Sequence, residues 1–183
     1  MGDNASPVPD PARPDFGPPA ARHRCTPLHL RNLRRLLDRF GIDLAVHPKD
    51  SPLPGSYWGE PEAGIVARTL HLRPDTPVHS ALHEACHLIC MDPARRDGAH
   101  TDAGGDDLEE AAVCRLQILL AGHLPGIGPD ALMDDMDAWG YSFRLGSTRA
   151  WFQFDSEDAD AWLRRHSLIA PEGSVRFRMR GHP

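Results

Sequence analysis

His83-Glu84-Ala85-Cys86-His87 is an H-E-x-x-H string. In an α-helix, residues four apart leave the same face one turn apart, so the two imidazoles can hold one ion between them. Glu84, beside the first histidine, can then take a proton from a water that the metal activates. These residue types at this spacing are those of zinc-dependent hydrolysis. The chain has 11 histidines in 183 residues, yet chance arrangement gives the string only about 0.025 times per chain of this make-up. Its flanks are apolar at Val78, Ala81, Leu82, Ala85, Leu88 and Ile89, which predicts a buried helix. Two imidazoles and a carboxylate buried without partners would be costly, and a metal satisfies all three. A histidine pair hydrogen-bonded in the core is the plainer possibility.

A third ligand must come from elsewhere. Cys90 and Pro93 stand where the metzincin pattern needs Gly and His, which excludes that class, and the P-C-x-x-C of zinc deaminases is absent. His79 lies one turn before His83, but about 12 Å of helix rise separates it from His87. Cys90 is about 10 Å along the axis from His83, so Cys86 and Cys90 read as small core residues. The next helix begins with Asp106, Asp107, Glu109 and Glu110. Glu109 shares a face with Ala112, Val113, Leu116 and Leu120, the stripe expected to pack inward, and is the expected third ligand; Glu110, Asp106 and His100 also remain candidates. All four acids also suit a helix N-terminus without any metal. Tyr141, Tyr57, His79, His100 and Arg144 could each donate to a developing oxyanion, and the sequence does not choose among them.

The elements that must position these residues predict an α+β fold, in which a small sheet packs against the H-E-x-x-H helix and the ligand-bearing helix after it. Thr26-Pro27 caps a first helix with Leu28, Leu33, Leu36, Leu37 and Phe40 on one face, stopped by Gly41. Ile42 to His47 alternates like a strand; two further strand-like segments flank the turn-prone Glu60 to Gly64, the second running from Ile65 to Leu72. Asp75 or Thr76 caps the key helix, Pro77 starts it and Pro93 ends it. "ARRDGAHTDAGG" is read as a loop, and a second helix runs from Asp106 to Gly122. "DALMDDMDAW" is a short helix ended by Gly140. "TRAWFQFDSEDADAWLRRH" is read as helical because Trp151, Phe154, Ala161 and Trp162 recur at helical spacing. Residues 1–25, rich in Pro, Ala, Asp and Gly, read as a disordered tail. Residues 26–183 form a single domain, with a core at 42–125 and a helical C-terminal subdomain from about 126 to 183.

A net charge of -6 and a pI near 6.0 imply no broad basic surface, which argues against direct nucleic-acid binding. No apolar run approaches the ~20 residues that cross a bilayer, and the N-terminus lacks the pattern of a secretion signal. Cys25, Cys86, Cys90 and Cys114 form no C-x-x-C pair, so reduced thiols and a cytoplasmic location are expected.

"HSALHEACHLI" followed by "EEAAVCRLQILLAG" resembles the gluzincin-type zinc peptidases, specifically the metallopeptidase domain of the ImmA/IrrE kind. There the zinc motif is followed by a helix with a ligand Glu, an Ala three residues later and a Leu-Leu pair; Glu109, Ala112 and Leu119-Leu120 fall on those places. "GIVARTLHL" resembles the strand ahead of the zinc helix, which in such enzymes can bind substrate backbone by strand addition. The likeness covers Ile65 to Gly122, roughly a third of the chain. Val113 departs from it by replacing a polar residue one turn after the ligand, and Pro125 by being displaced from the end of the Leu-Leu helix. The resemblance implies a zinc metallopeptidase: Zn2+ on His83, His87 and Glu109, Glu84 as general base, and a peptide or protein substrate such as a transcriptional regulator, with no membrane partner. The contrasting expectation is a catalytically silent, metal-stabilised interaction or regulatory module.

Overall fold

The computed structural model describes residues 22–57, 59, 61–101 and 103–181. Most of the expected tail, up to residue 21, lies outside these. Residues 22–25 were expected to belong to it but are part of the fold. Arg24 forms an antiparallel bridge with Pro77, and the Val78 N–H, which has no partner within its own helix, donates to the His23 carbonyl at 2.9 Å. Cys25 is fully buried, and the backbone N–H groups of Arg22 and His23 donate to the buried Asp135 carboxylate.

Helix α1 (Pro27–Asp38) starts at the Thr26 cap and buries Leu33, Leu36 and Leu37. Leu28 is half exposed rather than on that face, since five residues of helix carry it about 140° away from Leu33. Strand β1 (Asp43–Val46) pairs in parallel with β3 (Thr69–Leu72), and β2 (Gly64–Val66) pairs antiparallel to β3, giving the order β1-β3-β2. The run from Ile65 to Leu72 is therefore two strands. It folds back at Ala67, whose φ of 51° is left-handed and whose N–H donates to the Ala99 carbonyl at 2.7 Å. Among its described residues, the segment expected as a strand before Glu60 contributes a bridge from Ser56 to Gly64 and no longer ladder. A side chain at Gly64 would put its Cβ 2.3 Å from the Pro54 carbonyl oxygen, so this close approach requires glycine.

Helix α2 (Val78–Cys90) carries the H-E-x-x-H string. Thr76 does not cap it; its hydroxyl accepts from the Arg73 N–H at 2.9 Å instead. Leu82, Leu88 and Ile89 are fully buried, each stabilising the fold by roughly 1.5–3 kcal/mol. Pro93 does more than end this helix. It opens a short helix, α3 (Pro93–Asp97), inside the stretch read as a loop, with Asp92 as its cap. Arg96 of α3 is 1% exposed and donates to the Leu88 and Met91 carbonyls, satisfying the end of α2.

Helix α4 (Asp107–Ala121), capped by Asp106, packs chiefly on α2 and on α7 (Glu157–Arg165). Helix α5 (Gly128–Trp139) ends at Gly140, whose φ of 102° favours glycine. Helix α6 (Thr148–Phe154) is separated from α7 at Asp155-Ser156. That break changes the phase, so Trp151, Trp162 and Leu163 are buried while Phe154 and Ala161 are exposed. The outcome is an α+β fold with a three-stranded mixed sheet and, among the described residues, seven helices. Buried apolar side chains from Cys25 to Met179 form one continuous core cluster. No helix among the described residues is long and apolar enough to cross a membrane.

Candidate metal centre

Helices α2 and α4 build the site where they face each other. His83 and His87 sit one turn apart on α2 with their Nε2 atoms 3.1 Å from each other. Glu110, in the first turn of α4, brings Oε1 to 3.2 Å from His83 Nε2 and Oε2 to 3.4 Å from His87 Nε2. Ligands of a tetrahedral ion at about 2.0–2.1 Å stand about 3.4 Å apart, so the edges of this triangle have the size a metal needs. Among the described residues, His83, His87 and Glu110 are the group that could hold a metal ion. A tetrahedral ion held by these three residues would keep a fourth position open.

The surroundings fix the three side chains. Gln117, fully buried on α4, accepts from His83 Nδ1–H at 2.7 Å, which turns Nε2 of the ring towards Glu110. Its amide in turn meets the Met136 sulfur at 3.1 Å. Cys114, one turn after Glu110, places Sγ 3.8 Å from Oε1. Burial alone would raise the Glu110 carboxyl, but hydrogen bonding and the positive potential of the two imidazoles hold it down at about 2. Burial would lower His83, but the Glu110 carboxylate beside Nε2 opposes it and the imidazole is held above its ordinary value. A metal bound at these atoms would compete with protons for them.

Glu109, the expected third ligand, does not join this group. Its carboxylate pairs with Arg95 through Oε1 and with Arg180 Nη1 through Oε2 at 3.1 Å, and its side chain is 7% exposed. The apolar stripe does turn it inward, as its sequence pattern implies, but the inward side holds two guanidinium groups instead of the imidazoles. Asp106 and His100 are engaged elsewhere: Asp106 Oδ1 accepts from the Glu109 N–H at 2.8 Å as helix cap, and His100 Nδ1 pairs with Thr101 Oγ1 at 2.8 Å.

His83, His87 and Glu110 line a cleft of about 910 Å³. Glu84 lines it, half-buried, its carboxyl raised to about 7 by burial, with Glu110 and Glu62 adding to the rise and His83 opposing it. Of the five candidate oxyanion donors, Tyr141, Tyr57 and His79 line the cleft, and Arg144 is instead paired with Asp155. The Tyr141 ring stands edge-on to both His83 and His79, at 5.8 and 5.6 Å between centroids, and burial pushes its phenol up, so it stays protonated. Cys86 and Cys90 are buried in the core with their thiols pushed up, away from thiolate chemistry.

Among the described residues, the strand ahead of α2 has no vacant edge for strand addition. β3 is central, paired on both sides. The outer edge of β2 is also occupied: the Ile65 N–H donates to the Gly55 carbonyl at 3.3 Å and its carbonyl accepts from Thr101 at 3.2 Å. No protein-family model, curated protein or solved structure matches this chain.

Proposed function

We propose that this protein is a zinc-dependent hydrolase, most simply a peptidase of the gluzincin type, with His83, His87 and Glu110 as metal ligands and Glu84 as general base. The observation that carries the reading is the convergence of two imidazole nitrogens and a carboxylate on one point of the cleft, beside a glutamate whose carboxyl titrates near 7. Zinc held there supplies Lewis acidity, the property that acidifies water and polarises a carbonyl. Glu84 accepts the proton of the attacking water at its carboxylate and returns it to the departing amine. Tyr141, protonated and next to His83, is the cleft donor closest in contact to the metal ligands and is assigned to the carbonyl oxygen. The likeness to the ImmA/IrrE metallopeptidase domain supports the same reading on motif alone, with the ligand moved from Glu109 to Glu110.

The test is cleavage of a peptide library by the zinc-loaded chain. Wild type cleaves, while Glu84→Gln keeps its zinc and loses activity by more than about 100-fold. Zinc binding in both proteins with no cleavage by either would instead make the chain the catalytically silent module.

A further inference from the structure

A polar side chain buried without a partner lies in the wall of the cleft. His79, one helical turn before His83, lines the cleft and is 1% exposed, and neither ring nitrogen has a hydrogen-bond partner among the described residues. Buried polar groups are normally paired, because losing water without gaining a partner costs the fold stability. Other polar side chains of the cleft are engaged: Ser80 Oγ accepts from the Ala63 N–H at 2.9 Å, and Asp106 Oδ1 from the Glu109 N–H at 2.8 Å. His79 differs from both.

Its ring is set between those of Trp139 and Tyr141, at 5.0 and 5.6 Å between centroids. Those two residues flank Gly140, which is exposed and where an added Cβ would meet nothing within 4 Å, so the turn has room to shift as a ligand reaches the imidazole. Burial first, then the positive potential of His83 and Arg24, holds the imidazole neutral with a pKa of about 3. A neutral imidazole carries one N–H donor and one lone pair, the complement of an amide. Burial between two rings opposes a charge of either sign, and the positive potential opposes a cation further.

Geometry places the contact close to the metal ligands. Helix rise separates His79 from His83 by about 6 Å, while an extended peptide advances about 3.3–3.6 Å per residue. Among the described residues the sheet offers no vacant edge to a peptide backbone, since β3 is paired on both sides and Ile65 of β2 bonds Gly55 and Thr101. A bound peptide must find its hydrogen bonds on the cleft walls.

We propose that His79 is a substrate-binding residue that takes an amide of the peptide, an uncharged donor and acceptor, within about two residues of the bond that is cut. The amide is that of the main chain or of a glutamine or asparagine side chain. This inference rests on the peptidase reading, whose failure shows separately.

The experiment uses the zinc-loaded full chain as wild type, His79→Phe and His79→Gln, with three pools of random decapeptides identical except for one fixed central Gln, Glu or Leu. His79→Phe fills the space without a nitrogen and should raise KM about tenfold, with kcat within about twofold. His79→Gln, which carries a donor and an acceptor, should recover most of the loss. Zinc affinity should stay within about twofold in both variants, and the urea midpoint of His79→Phe near neutral pH should not fall below that of wild type, because the variant buries no unpaired nitrogen. A wild-type preference for the Gln pool that His79→Phe abolishes identifies a side-chain amide; an equal rise in KM for all three pools identifies the main chain. An unchanged KM in His79→Phe, a rise confined to the Glu or Leu pool, a rise that His79→Gln leaves in place, or one matched by a loss of zinc or of stability would overturn the proposal. If wild type cleaves no pool the peptidase reading fails, and fluorescence anisotropy of the labelled pools on the same chains then decides. Binding about tenfold weaker in His79→Phe supports the proposal; equal binding, or none by wild type, overturns it.

Discussion

Glu109 and Glu110 are neighbours in the chain and opposites in surroundings. Glu110 is half exposed, faces the cleft and is pulled down by two imidazoles. Glu109 is buried behind it and clamped by Arg95 and Arg180, one from α3 and one from the C-terminal segment. One residue along a helix is a rotation of 100°, and here that rotation separates a carboxylate that could hold a metal with two imidazoles from one held in an ion pair. The pair behind helps set the face in front. Arg180 also donates its backbone N–H to the Ile89 carbonyl at 2.9 Å, so the C-terminal segment ties the ligand helix α4 to the end of α2.

Variants of each side break the comparison in different observables. Glu110→Ala should lower zinc affinity by more than the ~10–100-fold that supporting residues are worth, measured by competition with a chelating dye. Gln117→Leu, which leaves His83 Nδ1–H without its acceptor, should cost about tenfold in the same assay and leave the fold in place. Glu109→Gln should keep zinc binding within about tenfold of wild type. Its cost falls on stability instead, about 1–3 kcal/mol in denaturant unfolding, because both arginines lose the Glu109 charge, while Arg95 keeps Asp92 and both are partly open to water. If Glu109→Gln abolished zinc binding and Glu110→Ala did not, the roles assigned to the two glutamates would be reversed.

A smaller effect concerns acid. His79 is held at about 3 in the folded chain, below its ordinary 6.5, so the unfolded state binds its proton first. Stability from this group is fully present above pH 6.5 and lost as the pH falls from there towards 3. Between pH 6.5 and 5 the loss is about 2 kcal/mol. His79→Phe should flatten this part of the stability profile, read from urea midpoints at several pH values. An unchanged slope would show that His79 is not the group responsible.

The H-E-x-x-H helix was legible because its spacing and its apolar flanks say the same thing. The carboxylate that α4 adds to the histidine pair was not, because the helix is buried on most sides and an apolar stripe therefore does not mark the side that meets α2. The useful signal was the weaker one: Glu110, Cys114 and Gln117 recur at helical spacing as polar or ionisable residues in an otherwise apolar helix. A buried face that stays polar needs partners, and the imidazoles of α2 are those partners. Arg95 and Arg180 as counter-ions of Glu109 were beyond reach, since Arg180 lies 71 residues from it in sequence. The hairpin at Ala67 was missed for a local reason. Ala67-Arg68 has no glycine, proline or asparagine to mark a turn, and the left-handed alanine is held by a distant carbonyl at Ala99.

The central claim is that Glu110 completes the metal set. A crystal structure of the zinc-loaded chain, with anomalous scattering recorded on both sides of the zinc edge, tests it directly. The account predicts one ion about 2.0–2.2 Å from His83 Nε2, His87 Nε2 and a Glu110 oxygen, with Glu109 still on Arg95 and Arg180. An ion bound through Glu109, or no zinc between the two histidines, would contradict it.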